Sequence, residues 1–153
     1  MINKKAFTLV ELLVVISIIG ILALVSVSSY INAQIKSRDA QRKSDLDQTS
    51  KALMLFYADN GNFPIENDFL FGNEDGFSGS DEIIYMRKTP QDPVSDSVYK
   101  YKYKTDGKSF NLFANLENKS DSKCKDPSYS VDGDKYCYSI SSPNTIVTDW
   151  PRL

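Results

Sequence analysis

The sequence predicts an α+β fold in which one long N-terminal helix lies under a small antiparallel sheet of about three strands. Three observations predict it. An apolar run from Leu12 to Val25 passes into a polar, amphipathic stretch with no Gly or Pro between Ile21 and Asn60. Asp59-Asn60-Gly61, with Pro64 beyond, then gives a strong helix stop with Gly at the left-handed position. Further on, three segments alternate apolar and polar residues with the period of a strand.

The helix comes first and meets two solvents. At ~1.5 Å per residue, a helix from Phe7 to Tyr57 is on the order of 75 Å long, well over twice an average membrane core. No domain built from the remaining residues covers that length, so the helix requires a bilayer, copies of itself, or each in turn. Lys4 and Lys5 precede the apolar run. By the positive-inside rule they hold the N-terminus in the cytoplasm and send the rest outward. Taken from Phe7 to Ile31 the run is long enough to span a bilayer as an uncleaved anchor. Ser26 and Ser28, small residues two apart, also fit a secretory signal peptide. That reading leaves Glu11 unexplained. A carboxylate inside an apolar run costs ~2.5 kcal/mol or more at a helix centre and calls for a partner. Cleavage after Ala6 would supply one: Phe7 becomes a cationic N-terminus four residues from Glu11, and in a stack of helices one Glu11 pairs with the neighbour's amine. Ser17 and Gly20 are small residues that let apolar helices approach closely.

From Asn32 the pattern turns amphipathic. Leu46, Leu53, Phe56 and Tyr57, with Thr49 and Ser50 between them, recur at helical spacing and mark a core-facing stripe. Lys36, Arg38, Arg42 and Lys43 are interspersed with Asp39, Asp45 and Asp47, which reads as a solvated face or as contacts between neighbouring helices.

Residues 65–93 have loop composition, with a short helix expected around Asp81 to Met86. Phe69, Leu70, Phe71, Phe77, Ile83 and Ile84 pin this loop to the core. Val98 to Lys104 sets Tyr99, Tyr101 and Tyr103 on one face and Lys100, Lys102 and Lys104 on the other. Stacking and charge in that stripe suit single-stranded nucleic acid, but the bland reading, tyrosines on the helix and lysines in solvent, fits better. Asp106-Gly107 signals a hairpin turn. Ser109 to Glu117 follows, with Phe110, Leu112, Ala114 and Leu116 on one face, and Lys135 to Ser141 places Tyr136, Tyr138 and Ile140 together.

Composition excludes much chemistry. The 153-residue chain has no histidine, which removes the commonest general base, the usual zinc ligand and any Ser-His or Cys-His nucleophile. No nucleophile and base stand out, and the expectation is a protein that is not an enzyme and has no cofactor. From Asp59 onward, 11 Lys and Arg face 16 Asp and Glu, a net −5 that argues against nucleic acid as the main ligand. Asp126, Asp132 and Asp134 lie close together but do not match an EF-hand loop, and no metal is expected. The two cysteines, Cys124 and Cys137, form a disulfide by default if this part is exported.

Lys-Lys-Ala-Phe-Thr-Leu-Val-Glu-Leu followed by an apolar helix resembles the class III signal of type IV pilins and type II secretion pseudopilins. The likeness extends over RDAQRKSDLDQTSKALMLFYADNGNFP and over Thr89-Pro90-Gln91-Asp92-Pro93, the Tyr-x-Tyr strand and Phe-x-Leu-x-Ala-x-Leu-Glu. It implies a leader of residues 1–6, a transmembrane and filament-core half-helix over 7–31, an amphipathic half-helix over 32–58 and a globular domain over 59–153. It implies cleavage between Ala6 and Phe7, N-methylation of Phe7, and Glu11 as the assembly glutamate. Two residues depart from the family pattern. Ala6 stands where Gly is usual before the cut, and Ser28 where many pilins have proline. A Cys124–Cys137 bond resembles the C-terminal disulfide loop of many type IV pilins.

The function implied is that of a prepilin, held in the cytoplasmic membrane by a single span with its domain outside and then polymerised with like subunits into a filament. The implied partners are a prepilin peptidase, an assembly platform and ATPase, and the membrane. The alternatives are a type II secretion pseudopilin and a minor pilin or anchored module that binds DNA or surfaces.

Overall fold

The computed structural model describes residues 7–79, 82–94, 98–124 and 129–143, and the backbone alone at 24–28. The leader, with Ala6, and Asp81 and Asp126 lie outside these residues, as does the side chain of Ser28. Helix α1 runs Leu9–Asn60 and ends where the sequence predicts. Gly61 adopts φ 73°, and its N–H closes the last turn on Tyr57 O at 2.8 Å. The chain falls into two compact units, Met1–Lys36 and Ser37–Leu153.

In the second unit the predicted three-stranded sheet is present, with β3 (Lys102–Thr105), β4 (Phe110–Ala114) and β7 (Tyr138–Ser141) antiparallel in the order β3-β4-β7. Thr105 pairs with Phe110 across the Asp106-Gly107 turn, where the Asp106 carboxylate accepts the N–H groups of Lys108 and Ser109. Phe110, Leu112, Ala114 and Leu116 enter one core with Leu46 and Leu53 of α1, Phe63, Phe69, Phe77, Tyr101, Tyr103 and Tyr138. The helix face that meets this core carries Asp39, Arg42, Leu46, Thr49, Ser50 and Leu53, all buried at helical spacing. Phe69 and Phe77 of the long loop are buried, whereas Leu70 and Ile84 are exposed, so the loop is pinned by its aromatic residues. Buried Thr89 ties it further, its hydroxyl accepting Asn73 N–H and donating to Leu70 O, both at 2.7 Å.

Three expectations are corrected here. The segment ending at Met86 is strand: β2 (Ile84–Met86) pairs with β1 (Phe77–Ser78). Gly76, at φ 78°, lets the Met86 and Arg87 backbone pass where a Cβ would sit 2.2 Å from Met86 O. Next, the single strand expected over Lys135–Ser141 is broken at Cys137, which is disulfide-bonded to Cys124. Before the break β6 (Asp134–Tyr136) pairs with β5 (Tyr129–Val131), and after it β7 pairs with β4. Tyr136 and Tyr138 therefore enter different cores. Tyr136 joins Phe113, Tyr129 and Val131 in a second cluster that covers the other face of β4, and Tyr138 joins the helix side. The β5–β6 hairpin turns on Asp132-Gly133, both at positive φ, the primed-turn geometry that suits a right-twisted hairpin.

The third correction concerns charge. Lys36 is exposed, as expected of a solvated face, but Arg42 is fully buried. Its guanidinium donates to Asp92 through Nε at 2.7 Å and Nη2 at 2.9 Å, and through Nη1 to Asp39 at 2.8 Å and Glu117 at 2.7 Å. The Tyr99 ring covers it at 4.6 Å. Arg38 forks onto Glu117, Lys43 binds Asp121 at 2.6 Å, and Asp39 also accepts the N–H groups of Glu117 and Asn118. The planar fork of arginine makes this possible, because its five donors let several carboxylates share one buried cation. Two lysines of the stripe are also paired. Asp132 bridges Lys102 and Lys104 at 2.8 and 3.0 Å, and Lys104 binds Glu66 at 2.9 Å. Tyr101 and Tyr103 turn inward and donate to Asp45 and Pro64 O.

Candidate assembly interface

The N-terminal turn of α1 is closed by two residues. Thr8 precedes the first helical residue, and its hydroxyl accepts Glu11 N–H at 3.2 Å. Glu11 Oε2 reaches back to accept Thr8 N–H at 2.9 Å and the Thr8 hydroxyl at 2.7 Å. This is a capping box, which satisfies two of the orphan donors of a helix start and sets a carboxylate against the positive end of the helix dipole. The Thr-x-x-Glu spacing in the sequence is its signature; sequence reasoning that sought an amine as partner to Glu11 passed over it. Among the described residues Glu11 Oε1 has no hydrogen-bond partner, so one oxygen holds the turn and the other is open.

The helix beyond this turn is uncovered. Every large apolar residue from Phe7 to Leu22 is between 47% and 79% exposed, all round the helix. Ser17 donates its hydroxyl to Leu13 O at 2.8 Å, so the one hydroxyl in this run after Thr8 is satisfied within its own helix. Among the described residues no helix is long and apolar enough to cross a membrane. The apolar run described with its side chains stops at Ala23, and the next apolar side chains, Leu24, Val25 and Val27, lie outside that description. Phe7 and Glu11 stand at the N-terminal end of this surface, and the second cleavage residue, Ala6, lies outside the described residues. Cys124 and Cys137 belong to the other unit, with Cα atoms 4.7 Å apart. Among the described residues no group of His, Cys, Asp and Glu is arranged to hold a metal, and Asp132 is instead shared by the two lysines.

Residues 1–27 match the prokaryotic N-terminal methylation motif. The chain is also 34% identical over 76 residues to the type IV major pilin protein PilA of Myxococcus xanthus (strain DK1622). At its N-terminus the chain is similar to type IV pilins. The aligned stretch is 50% of this chain, and it spans only about a third, 32%, of the pilin's length. No solved structure matches. The likeness thus covers a methylation motif and half of the chain, and the long helix under small antiparallel sheets is the α+β architecture expected from the resemblance.

Proposed function

We propose that the chain is the structural subunit of a type IV pilus-like filament, made as a prepilin, cut between Ala6 and Phe7, methylated on the Phe7 amine and polymerised through its N-terminal helix. The observation that carries this reading is the apolar surface of residues 7–22, exposed on every side and headed by a carboxylate with one oxygen open. Burying such a surface stabilises by roughly 25 cal/mol per Å², and a bilayer alone accounts for the apolar run but not for Glu11. Before assembly, residues 7–31 sit in the cytoplasmic membrane as a single span with the rest of the chain outside. After assembly, the same residues form the filament core. Residues 32–58 then serve as the spine of the globular domain of residues 59–153. Glu11 Oε1 accepts the neighbour's Phe7 amine and sets the axial register. A prepilin peptidase, an assembly platform and an ATPase are the partners this requires, and the chain itself performs no catalysis.

A pilus is favoured over a secretion pseudopilus by the major-pilin relative and by the Cys124–Cys137 disulfide. Mass spectrometry of the mature N-terminus tests the processing: it should start at methylated Phe7, and a start near Ser29 or an intact Met1 would overturn it. Glu11→Val should insert into the membrane normally yet form few filaments under electron microscopy, and normal filaments would remove the role given to the carboxylate.

A further inference from the structure

The second unit holds a cleft of about 390 Å³ lined by Phe71, Gly72, Gln91, Asp92, Tyr99, Lys100 and Tyr101. It plays no part in the assembly reading. Its floor is aromatic and fixed from behind. Tyr99 lies over the Arg42 guanidinium, Tyr101 donates to Asp45 at 2.8 Å, and Phe71 packs on Tyr101 at 5.2 Å between centroids. Asp92 is held by the two arginine nitrogens, and Gly72 N–H donates to Pro90 O at 3.0 Å. The walls are therefore pre-organised by contacts that do not involve any ligand, which lowers the ordering cost of binding. The rim is polar. Gln91 and Lys100 are both exposed, and Lys100 has no ion pair or hydrogen bond among the described residues. The neighbouring lysines on the strand, Lys102 and Lys104, are both paired.

Charge narrows the occupant. A cationic ligand would meet the Lys100 ammonium and a Tyr99 ring already occupied on one face by Arg42. A polyanion would approach a region that carries net −5 from Asp59 onward. A neutral ring with an apolar face and hydroxyl edges meets neither penalty: the face covers aromatic carbon, an ammonium offers three donors, and an amide offers both donors and acceptors. We propose that this cleft is a saccharide site that takes one pyranose ring of a neutral glycan, its C–H face on Tyr99 and Phe71 and its hydroxyls on Gln91 and Lys100.

Saturation-transfer NMR on the full chain in lipid nanodiscs tests this, with the methyl β-glycosides of glucose, galactose and N-acetylglucosamine as probes. At least one should receive saturation, strongest at its ring C–H protons. Lys100→Ala and Gln91→Ala, both at exposed positions, should each weaken it by about tenfold while the tyrosine near-ultraviolet circular dichroism stays unchanged. No transfer to any of the three sugars would overturn the proposal, as would transfer that both variants leave intact. Salt-sensitive binding of dodecathymidylate in place of sugar would overturn it in favour of a nucleic-acid site.

Discussion

One helix solves two opposite problems along its length. From Phe7 to Leu22 it leaves large apolar side chains in the open. From Ser37 onward it buries a charged arginine completely and surrounds it with Asp39, Asp92 and Glu117. The first stretch leaves its apolar surface exposed to solvent. The second has found partners for the least likely of its side chains. The contrast teaches that hydropathy read residue by residue is a guide to what must be covered, and a poor guide to what is. Apolar surface is non-directional and can be covered by any neighbour of like kind, lipid or protein. A buried cation needs particular carboxylates at particular distances, and only a folded domain can supply them.

The sharpest way to break the contrast is to remove the buried charge. Arg42→Met leaves Asp39 and Asp92 without their cation, and should destabilise the second unit by about 3–5 kcal/mol. The midpoint of urea unfolding of the full chain in nanodiscs, followed by tyrosine circular dichroism, measures it, and a change under about 1 kcal/mol would mean that the cluster holds nothing together.

Next in size is the staple at the strand break. Replacing both cysteines by serine opens a bond between residues 13 apart and should cost about 3 kcal/mol by the loop-entropy relation. The same unfolding measurement reads it.

Acid should act on the cluster through Glu117. Its hydrogen bonds to Arg38, and then to Arg42, hold its carboxyl down at about 2, against an ordinary 4.5. The folded value lies below the unfolded one, so the stabilisation is complete above about pH 4.5 and is lost as pH falls towards 2, a loss on the order of 3 kcal/mol. Asp45 works the other way. Burial raises its carboxyl above the usual range, so acid relieves that strain and offsets part of the loss. A pH series of urea midpoints should fall across this window in the native chain and fall less in Glu117→Gln.

The smallest effect sharpens the contrast from the other side. Glu11→Val, which should disable assembly, should change the stability of the second unit by less than about 0.5 kcal/mol, since Glu11 belongs to the first unit. A larger shift in the urea midpoint would show that the two stretches are not independent.

Much of the fold was legible in the chain. The helix stop at Asp59-Asn60-Gly61, the strands around Tyr103 and Phe110 to Ala114, and the core stripe of Leu46 and Leu53 follow from local rules of spacing and backbone freedom. The residues proposed for assembly, Phe7 and Glu11, come from a contiguous motif, four residues apart in the chain. What escaped was whatever depends on distant residues. Asp132, which the sequence offers as a metal ligand beside Asp126 and Asp134, bridges Lys102 and Lys104, some 30 residues away in the chain. Tyr136 and Tyr138 alternate as one strand would, but the chain bends at the disulfide-bonded Cys137 between them, and each packs into a different cluster.

By itself, then, the sequence determined the long helix, its apolar half and the motif at its start, since each is set by residues close together along the chain. Only the tertiary structure decided the fate of Arg42. Its partners Asp92 and Glu117 lie 50 and 75 residues away, and no local pattern tells a solvated guanidinium from one that three carboxylates have taken out of water.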